Sequence, residues 1–226
     1  ANVFPKPEVA IMSTGDELAE PNAPSPLPAG TIRDSNRAML IAACQEEGLA
    51  VRDMGIVSDD AAKLEAKVDE CLRGGVRVLI TSGGVSMGDK DLVKPLLERR
   101  GTIHFGRVLM KPGKPLTFAT LSPSNDPSQT LLVFGLPGNP VSSLVTFHLC
   151  VIPVLRKLRG DPSPHLLRVR AKTVAPMPLD PVRPEYHRAT LRWHDGQGCY
   201  TAHSTGGQRS SRLLSMRSAN ALLQLP

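Results

Sequence analysis

The sequence has few aromatic residues, few cysteines and no long apolar segment. Aromatic residues make up only 4% of the 226 residues, so the chain lacks the repeated stacking side chains typical of proteins that bind single-stranded nucleic acid. Its four cysteines, Cys44, Cys71, Cys150 and Cys199, stand far apart without CxxC or zinc-finger spacing. This spacing favours reduced, structural thiols over a disulfide framework or a zinc site.

No apolar run approaches the roughly 18 residues that a membrane helix needs. The first ten residues, ANVFPKPEVA, have neither the basic start nor the apolar centre of a signal peptide. The sequence therefore predicts no membrane span and a cytoplasmic location. With 41% hydrophobic residues, the chain can bury a core large enough for one large or two small domains.

Positive charge is concentrated in the C-terminal part of the chain. Residues 1–160 hold 18 basic and 17 acidic residues, whereas residues 161–226 hold nine basic and four acidic ones. A basic surface of this kind attracts nucleic acid or a small anionic ligand. Because no stacking platform or recognition motif accompanies it, we expect no nucleic-acid partner.

Strand and helix patterns alternate from Val9 to about Gly160. Apolar runs separated by helical stretches of about a dozen residues are typical of βαβ units. They predict an α/β fold with a doubly wound, mainly parallel sheet. We expect Ser58 to cap a helix that ends at Gly74. The predicted strands are Val9–Met12, Gly55–Val57, Val76–Thr81, Leu116–Leu121 and Thr130–Leu136.

The pattern changes after Gly160 to short β-type segments with glycine-rich turns. These segments are Leu166–Ala171, Ala189–Trp193 and Leu222–Leu225. We therefore expect residues 1–160 to form the α/β domain and residues 161–226 to form a small β domain, with a boundary near 161–164. The chain stops just after an apolar strand, so this β domain is expected to be truncated.

The segment VRVLITSGGVSMGDKD, residues 76–91, is the most informative part of the sequence. A buried strand leads into Gly83 and Gly84, where the backbone can approach a ligand closely, and then into a helix whose first N–H groups favour an anion. Asp89 and Asp91 would repel a bare phosphate, so we expect Mg²⁺ to bridge carboxylate and ligand oxygens. The alternative is that the glycines only turn the chain and the aspartates only stabilise the helix start.

Three further loops carry groups suited to the same chemistry. Lys111 and Lys114 are flanked by prolines that restrict the backbone, and preorganised ammonium groups suit oxyanions, although a solvated basic turn is an alternative. The segments STGDE, which contains Thr14 and Glu17, and GLPGNP each follow a strand. Because the carboxyl ends of parallel strands lie at one edge of a sheet, we expect these loops to converge there.

Six motifs together resemble, in order, the molybdopterin molybdenumtransferases, which include bacterial MoeA, the E domain of gephyrin and the equivalent plant domain. The motifs are STGDE, IRDSNR, GIVSDD, TSGGVSMGDKD, MKPGKP and GLPGNPVS. The segments RPEYHRA and STGGQRSSRLLSMRSANALL in the C-terminal part resemble the last domain of the eukaryotic members. The resemblance covers nearly the whole chain.

This resemblance implies the molybdenum-insertion step of molybdenum cofactor biosynthesis. A molybdopterin adenylylated by a partner adenylyltransferase domain would be bound, its phosphate-adenylate link cleaved, and molybdate loaded onto the pterin dithiolene with release of AMP. Mg²⁺ is the implied metal, and the pterin sulfurs would become the ligands of molybdenum. Full-length members form homodimers.

The resemblance also implies roles for individual residues. Asp91 would hold the metal, with Glu17 and Asp59 assisting, although Asp59 has the alternative of only complementing a helix dipole. His187, beside Arg188, is expected to be a structural histidine. The implied catalytic residues are Asp91, Glu17, Lys111 and Lys114. The implied substrate-binding residues are Thr14, Gly83, Gly84, Ser86, Pro137 and Pro140, with Arg188 and Ser215 for molybdate.

The chain departs from the family in one respect, since full-length members carry two further subdomains before the segment that begins here at about Pro5. Those subdomains contribute to dimerisation and to one wall of the cleft, so activity and oligomeric state stay open. Two alternative functions remain. One is the related adenylyltransferase domain, which the KPGKP segment and the β tail disfavour; the other is a gephyrin-type scaffold that binds peptides.

Overall fold

The computed structural model describes residues 4–85, 91–122 and 129–226. Within these ranges the chain forms one large and one smaller β-sheet, a short two-stranded ribbon and six α-helices. The strands are β1 (Val9–Thr14), β2 (Leu18–Ala19), β3 (Ile32–Arg33), β4 (Val51–Val57), β5 (Val78–Ser82), β6 (Thr102–Phe105), β7 (Thr117–Leu121), β8 (Leu131–Leu136), β9 (Ala171–Thr173), β10 (Glu185–His194), β11 (Cys199–Ser204) and β12 (Ala221–Leu225). The helices are α1 (Asn36–Glu46), α2 (Ala61–Arg73), α3 (Val93–Arg100), α4 (Pro140–Thr146), α5 (Ile152–Leu158) and α6 (Leu214–Arg217).

The large sheet has the strand order β4-β1-β5-β8-β7-β6. Its first four strands are parallel, and β7 and β6 are antiparallel to their neighbours. The α/β fold with a doubly wound, mainly parallel sheet is therefore confirmed. The five strands predicted before residue 140 all belong to this sheet.

Both faces of the sheet are covered by helices, and strand β1 shows why. Val9 and Ile11 pack on the face covered by α1 and the α4–α5 helix, whereas Ala10 and Met12 pack on the face covered by α2 and α3. All four side chains are fully buried. A strand buried on both faces is an uninterrupted apolar run, which is the pattern that the sequence shows.

Two helix starts are stabilised by aspartates. Helix α2 begins after Asp60, whose side chain accepts a hydrogen bond from Lys63 N, so the expectation that Ser58 caps this helix was wrong. The helix ends at Gly74, as predicted. At the start of α1, Asp34 Oδ1 accepts from the N–H groups of Asn36 and Arg37. An ionised side chain satisfies the otherwise unpaired first N–H groups of a helix at both sites.

Helices α4 and α5 continue into each other through a π-helical turn at Phe147–Val151. By length and composition, the helix Pro140–Leu158 would suffice to cross a membrane, but half of its apolar window is buried inside the fold. Phe147, Val151 and Leu155 pack against the sheet. Its apolar composition is therefore explained by core packing.

The C-terminal part forms a four-stranded sheet with the order β12-β10-β11-β9, and its β character is confirmed. The predicted segments Ala189–Trp193 and Leu222–Leu225 lie within β10 and β12. The prediction for Leu166–Ala171 was largely wrong, because the strand in this region is Ala171–Thr173. Leu166 packs against the core of the large sheet, but Leu167 is 91% exposed and Val169 is 45% exposed, so the alternation after Leu166 has no buried face.

The four cysteines lie in the described ranges and are free. Cys44 and Cys71 pack in the two apolar layers beside the large sheet. Burial raises the pKa of the Cys44 thiol to about 12 and that of Cys71 to about 11. Thiols held neutral in this way are poor nucleophiles and act as small apolar side chains.

A buried ion cluster fixes the start of α1 to the edge of the sheet. Arg37 donates from Nε to Asp34 Oδ2 at 3.2 Å and from Nη1 to both oxygens of Asp53, and it also contacts Glu20. The side chains of Arg37 and Asp34 are only 7% and 1% exposed. Breaking a buried pair leaves an uncompensated charge in the interior, which is costly.

We predict that Arg37→Met lowers the free energy of unfolding by about 3 kcal/mol, because Asp34 would remain buried without its partner. The matched control is Arg52→Met, which removes a partly exposed pair with Glu8 and should cost less than about 1 kcal/mol. Urea unfolding of both variants measures the difference. Equal losses would contradict the assignment of Arg37 as a buried anchor.

Candidate functional site

The loops selected from the sequence share one edge of the large sheet. Those that follow β1, β4, β5 and β8 lie at the carboxyl ends of parallel strands. Strand β7 runs antiparallel to β8, and its first residue, Thr117, pairs with Gly135 near the end of β8. Residues 111–115 therefore enter the sheet at the same edge. The antiparallel direction of β7 thus brings Lys111 and Lys114 to the same edge as the other loops.

Gly83 and Gly84 pack tightly against the end of β1. A Cβ on Gly83 would lie 2.7 Å from Thr14 O, and a Cβ on Gly84 would lie 2.7 Å from both Thr14 Oγ1 and Val93 Cγ2. Both glycines also have positive φ angles, 87° and 66°. The close approach that requires glycine here is thus to the protein's own backbone and side chains.

Asn36 connects two of the loops at this edge of the large sheet, which we call the rim. The sequence did not single Asn36 out as a site residue. Its Nδ2 donates to Ser82 Oγ and to Gly138 O, each at 2.7 Å. Among the described residues, Asn36 Oδ1 and Thr14 Oγ1 are buried without a hydrogen-bond partner. Buried polar atoms are nearly always satisfied, and these two share their unpartnered state with four hydroxyls elsewhere in the described chain, Ser13 Oγ, Thr81 Oγ1, Thr117 Oγ1 and Ser143 Oγ.

The acidic candidates lie on the rim but are not clustered within the described part of the chain. Glu17 is exposed and folds back over Gly15. The main-chain N–H of Asp59 donates to Asp16 Oδ1 at 3.0 Å. No group of three or more His, Cys, Asp or Glu side chains is close enough to bind a metal in the ranges that the structure describes. Ser86 and Asp89 lie outside those ranges.

Asp91 stabilises the beginning of α3, where its Oδ1 accepts a hydrogen bond from Lys94 N at 3.3 Å. The carboxylate is partly buried, and this burial raises the pKa of Asp91 above its usual value. A carboxylate that has lost some of its water is favoured in its charged form by a nearby cation. A hard-oxygen donor of this kind suits Mg²⁺, which usually binds one or two carboxylates together with phosphate and water oxygens.

The Lys111 side chain is held by two acidic residues of the C-terminal part of the chain. We call residues 161–226 the C-terminal module and residues 4–160 the α/β module. Lys111 Nζ lies 2.9 Å from Glu185 Oε2 and 3.4 Å from Asp180 Oδ2. The hydrogen bond to Glu185 raises the pKa of Lys111 above its usual value. The sequence predicts two lysines preorganised by prolines, whereas the structure adds carboxylates that fix one of them in place.

A cleft of about 670 Å³ separates the two modules. One wall is formed by residues 111–115 and by Ser142 near the start of α4, and the other by Arg183 and residues 207–210. Lys114 is exposed on the first wall, and Pro137 and Pro140 shape the loop that leads into α4. Four basic side chains border the cleft: Lys111, Lys114, Arg183 and Arg209. Lys111 is paired with Asp180 and Glu185, and Arg183 with Asp180, while Lys114 and Arg209 have no ion pair to a described residue. Such a surface attracts anions.

Arg188 and Ser215 are brought together directly behind this cleft. Arg188 is fully buried, its Nε donates to Ser215 Oγ at 3.2 Å, and its Nη2 donates to Arg209 O at 3.3 Å. Its Nη1 has no hydrogen-bond partner within the described residues. Burial lowers the pKa of Arg188. A guanidinium with an unused donor pair is suited to bind an oxyanion.

Several residues of the cleft were not identified from the sequence. Ser142, Arg183, Gln208 and Arg209 line it, and Asp180 and Glu185 hold Lys111. Most of them lie within or beside motifs that were quoted for other reasons, namely GLPGNPVS, RPEYHRA and STGGQRSSR. The three motifs therefore indicated which segments form the cleft, but they did not indicate which side chains line it.

Comparison with known families gives two matches. Residues 10–157 match the profile described as probable molybdopterin binding domain, and residues 170–226 match the MoeA C-terminal region (domain IV). Together these matches cover most of the chain. The residues between them, 158–169, belong to the segment that joins the two sheets.

Similar proteins carry names from molybdenum cofactor synthesis. Gephyrin of Dictyostelium discoideum is 45% identical over 97% of this chain and 34% of its own length. Molybdopterin molybdenumtransferase of Nostoc sp. is 38% identical over 99% of this chain and 50% of its own length. A molybdopterin biosynthesis MoeA protein of Pyrococcus horikoshii superposes with a TM-score of 0.70 and 26% identity over 98% of this chain and 50% of that one. The chain thus spans half or less of the length of these relatives.

We predict that Gly84→Ala is more destabilising than Gly55→Ala. The two glycines have similar positive φ angles, 66° and 76°, but only at Gly84 would a Cβ contact other atoms within 4 Å. Gly55→Ala should cost about 1 kcal/mol from backbone strain, and Gly84→Ala a further 1–3 kcal/mol, approximately, from overpacking. Thermal unfolding measures both, and similar losses would contradict the tight Gly84–Thr14 contact.

Proposed function

Because this chain belongs to the family of molybdopterin-binding domains, here joined to the C-terminal region of MoeA, we propose that it carries out the molybdenum-insertion step of molybdenum cofactor synthesis. The substrates are adenylylated molybdopterin and molybdate, and the products are the molybdenum-loaded pterin and AMP. The observation that carries the proposal is the buried Arg188 with its unpaired Nη1 behind a cationic cleft.

Molybdate binds at Arg188 and Ser215 in this proposal. The guanidinium suits a tetrahedral oxyanion because its Nη1, unpaired among the described residues, offers N–H donors. Ser215, whose hydroxyl donates to Arg212 O at 2.7 Å, accepts from Arg188 Nε and orients it. Lys111 and Lys114 approach from the opposite wall and neutralise the remaining anionic charge. Arg188 keeps its position because Ser215 Oγ and Arg209 O accept from its other nitrogens.

The pterin phosphate and the adenylate bind at the rim of the large sheet. Gly84 would offer a backbone donor, and Ser86, which lies outside the described residues, a hydroxyl donor. Gly83 N already donates to Leu136 O at 3.1 Å, so Gly83 contributes by close approach of its main chain. Thr14 Oγ1 is buried and unused among the described residues. Cleavage of the phosphoanhydride adds the elements of water and yields AMP and the pterin phosphate. The two pterin sulfurs replace oxygens of molybdate, which leave as water.

In this proposal the partly buried carboxylate of Asp91 would bind Mg²⁺ together with phosphate and water oxygens. Asp59 and Glu17 lie in neighbouring loops and are not clustered with Asp91 among the described residues. When bound, the ion would neutralise the phosphate oxygens. The chain's own contribution is to hold these carboxylates at the ends of β1, β4 and β5. In this proposal the substrate comes from a molybdopterin adenylyltransferase domain in the cytoplasm, and a homodimer is the state that the resemblance implies for full-length family members.

The MoeA C-terminal region at residues 170–226 favours this function over an adenylyltransferase. A direct test separates them. Release of AMP that requires both adenylylated molybdopterin and molybdate supports insertion. Adenylylation of molybdopterin by ATP would instead support the adenylyltransferase, and tight peptide binding without molybdate or pterin binding would support a scaffold.

We predict that Arg188→Lys weakens molybdate binding about tenfold or more, because the charge is retained but the fork of donors is lost. Ser215→Ala, which removes one hydroxyl, should weaken binding by a smaller factor. The matched control is Arg192→Lys, an exposed position on the same strand β10. Isothermal titration calorimetry with molybdate measures all three.

Circular dichroism melting establishes that each variant is folded. Unchanged molybdate affinity in a folded Arg188→Lys variant would contradict the assignment of this site. Loss of affinity in the Arg192→Lys control to the same extent would contradict it as well, since a charge-conserving change at an exposed position away from Arg188 would then have the same effect.

A further inference from the structure

A continuous chain of hydrogen bonds runs from Lys111 on one wall of the cleft to Gln208 on the other. Lys111 Nζ lies 2.9 Å from Glu185 Oε2, and Glu185 Oε1 lies 3.1 Å from His187 Nδ1. His187 Nε2 lies 2.7 Å from Ser204 Oγ. The two central residues are buried, with Glu185 4% exposed and His187 9% exposed.

The chain continues from Ser204 into the glycine-rich wall. Ser204 Oγ accepts from Gly206 N at 3.1 Å, and Gly206 O accepts from Gln208 Nε2 at 2.8 Å. Gln208 Oε1 in turn accepts from Arg188 N at 2.8 Å. Both ends of the network therefore reach residues that we assign to the oxyanion-binding site. One end is the Lys111 ammonium, and the other is the main chain of Arg188 in β10.

We propose that Glu185 and His187 are positioning residues that set the distance between the two walls of the cleft. The proposal rests on the proposed function, because it names residues that act on the same oxyanion site. Neither side chain touches the substrate in this assignment. Each acts through a residue that does, Glu185 through Lys111 and His187 through Ser204 and the 206–208 segment.

The direction of the hydrogen bond is fixed at the Glu185 end of the chain. A carboxylate next to an ammonium only accepts, so the Glu185–His187 contact places a proton on His187 Nδ1. His187 Nε2 pairs with the hydroxyl of Ser204, whose oxygen also lies within hydrogen-bond distance of Gly206 N and Gly206 O. The buried part of the network, Glu185 and His187, is satisfied on both sides and favours one geometry over others.

The main chain supports the same junction. Lys111 N donates to Pro184 O at 2.9 Å, and Tyr186 N donates to Lys111 O at 2.7 Å, on either side of Glu185. The side-chain network thus extends a backbone contact that already joins the modules. Asp180, which also pairs with Arg183 at 3.1 Å, holds Lys111 from a second direction.

Glu185→Gln distinguishes positioning from simple charge. The substitution removes a negative charge next to Lys111, so Coulomb attraction alone predicts tighter binding of molybdate. Positioning predicts the opposite, a loss of about tenfold, because Lys111 and His187 lose a charge-assisted partner. His187→Gln retains a group able to reach Ser204 but loses the contact with Glu185, and it should lose less affinity than His187→Ala.

A double-mutant cycle then tests whether the network acts as one unit. Glu185 and Ser204 bind opposite ring nitrogens of His187. If they are coupled through that ring, Glu185→Gln combined with Ser204→Ala should lose no more affinity than the larger single loss. His203→Gln is the matched control, because His203 precedes Ser204 on β11 and should leave the affinity unchanged alone and in combination.

The measurement is isothermal titration calorimetry with molybdate on the 226-residue chain, with melting curves for each variant. Folded Glu185→Gln protein with unchanged or tighter binding overturns the inference, and so do additive losses in the cycle. Stoichiometric labelling of Ser204 by a fluorophosphonate, abolished by His187→Gln, also overturns it in favour of a nucleophilic serine. Failure of the wild-type chain to bind molybdate contradicts the proposed function itself and is distinguishable from all these results.

Discussion

The pairing of the Lys111 main chain with the start of β10 is the constraint on which the site depends. Two backbone hydrogen bonds, to Pro184 O and from Tyr186 N, fix the C-terminal sheet against the edge of the large sheet. Because β10 is central in its own sheet, this contact also orients β11 and β12. The cleft is the space left between the joined modules. The same junction is reinforced by Val141 N, which donates to Ser210 O at 3.0 Å, and by the packing of Tyr186 and Met216 against the apolar cluster that contains Met110.

The fold was largely accessible from the sequence, because the strands of the large sheet are buried on both faces and appear as plain apolar runs. The prediction was wrong for most of Leu166–Ala171, because Leu166 packs on the core and Ala171 pairs with β11 while Leu167 and Val169 between them are exposed. It also assigned a cap to Ser58 when Asp60, two residues later, takes that role. Which residue caps a helix depends on its backbone angles, and the sequence alone does not distinguish between neighbouring polar residues such as Ser58 and Asp60.

The site was accessible only in part. Loop positions follow from topology, since the carboxyl ends of parallel strands share an edge, and the sequence therefore placed STGDE, TSGGVSMGDKD and GLPGNP together. The partners of Lys111 could not be deduced this way, because Asp180 and Glu185 belong to another sheet and reach it through packing of the modules. Asn36 was missed for a similar reason, as its two acceptors, Ser82 Oγ and Gly138 O, lie far away in sequence.

The burial of Arg188 connects stability to binding. A guanidinium removed from water with an unpaired Nη1 costs the folded state free energy, since a buried unsatisfied donor loses about 1–3 kcal/mol or more. An anion that binds only the folded chain returns stability as its concentration rises above its dissociation constant. The unpaired Nη1 donor that lowers the stability of the unliganded protein therefore also favours the binding of an oxyanion at Arg188. The fixed walls of the cleft then add affinity, because the donors need little rearrangement on binding.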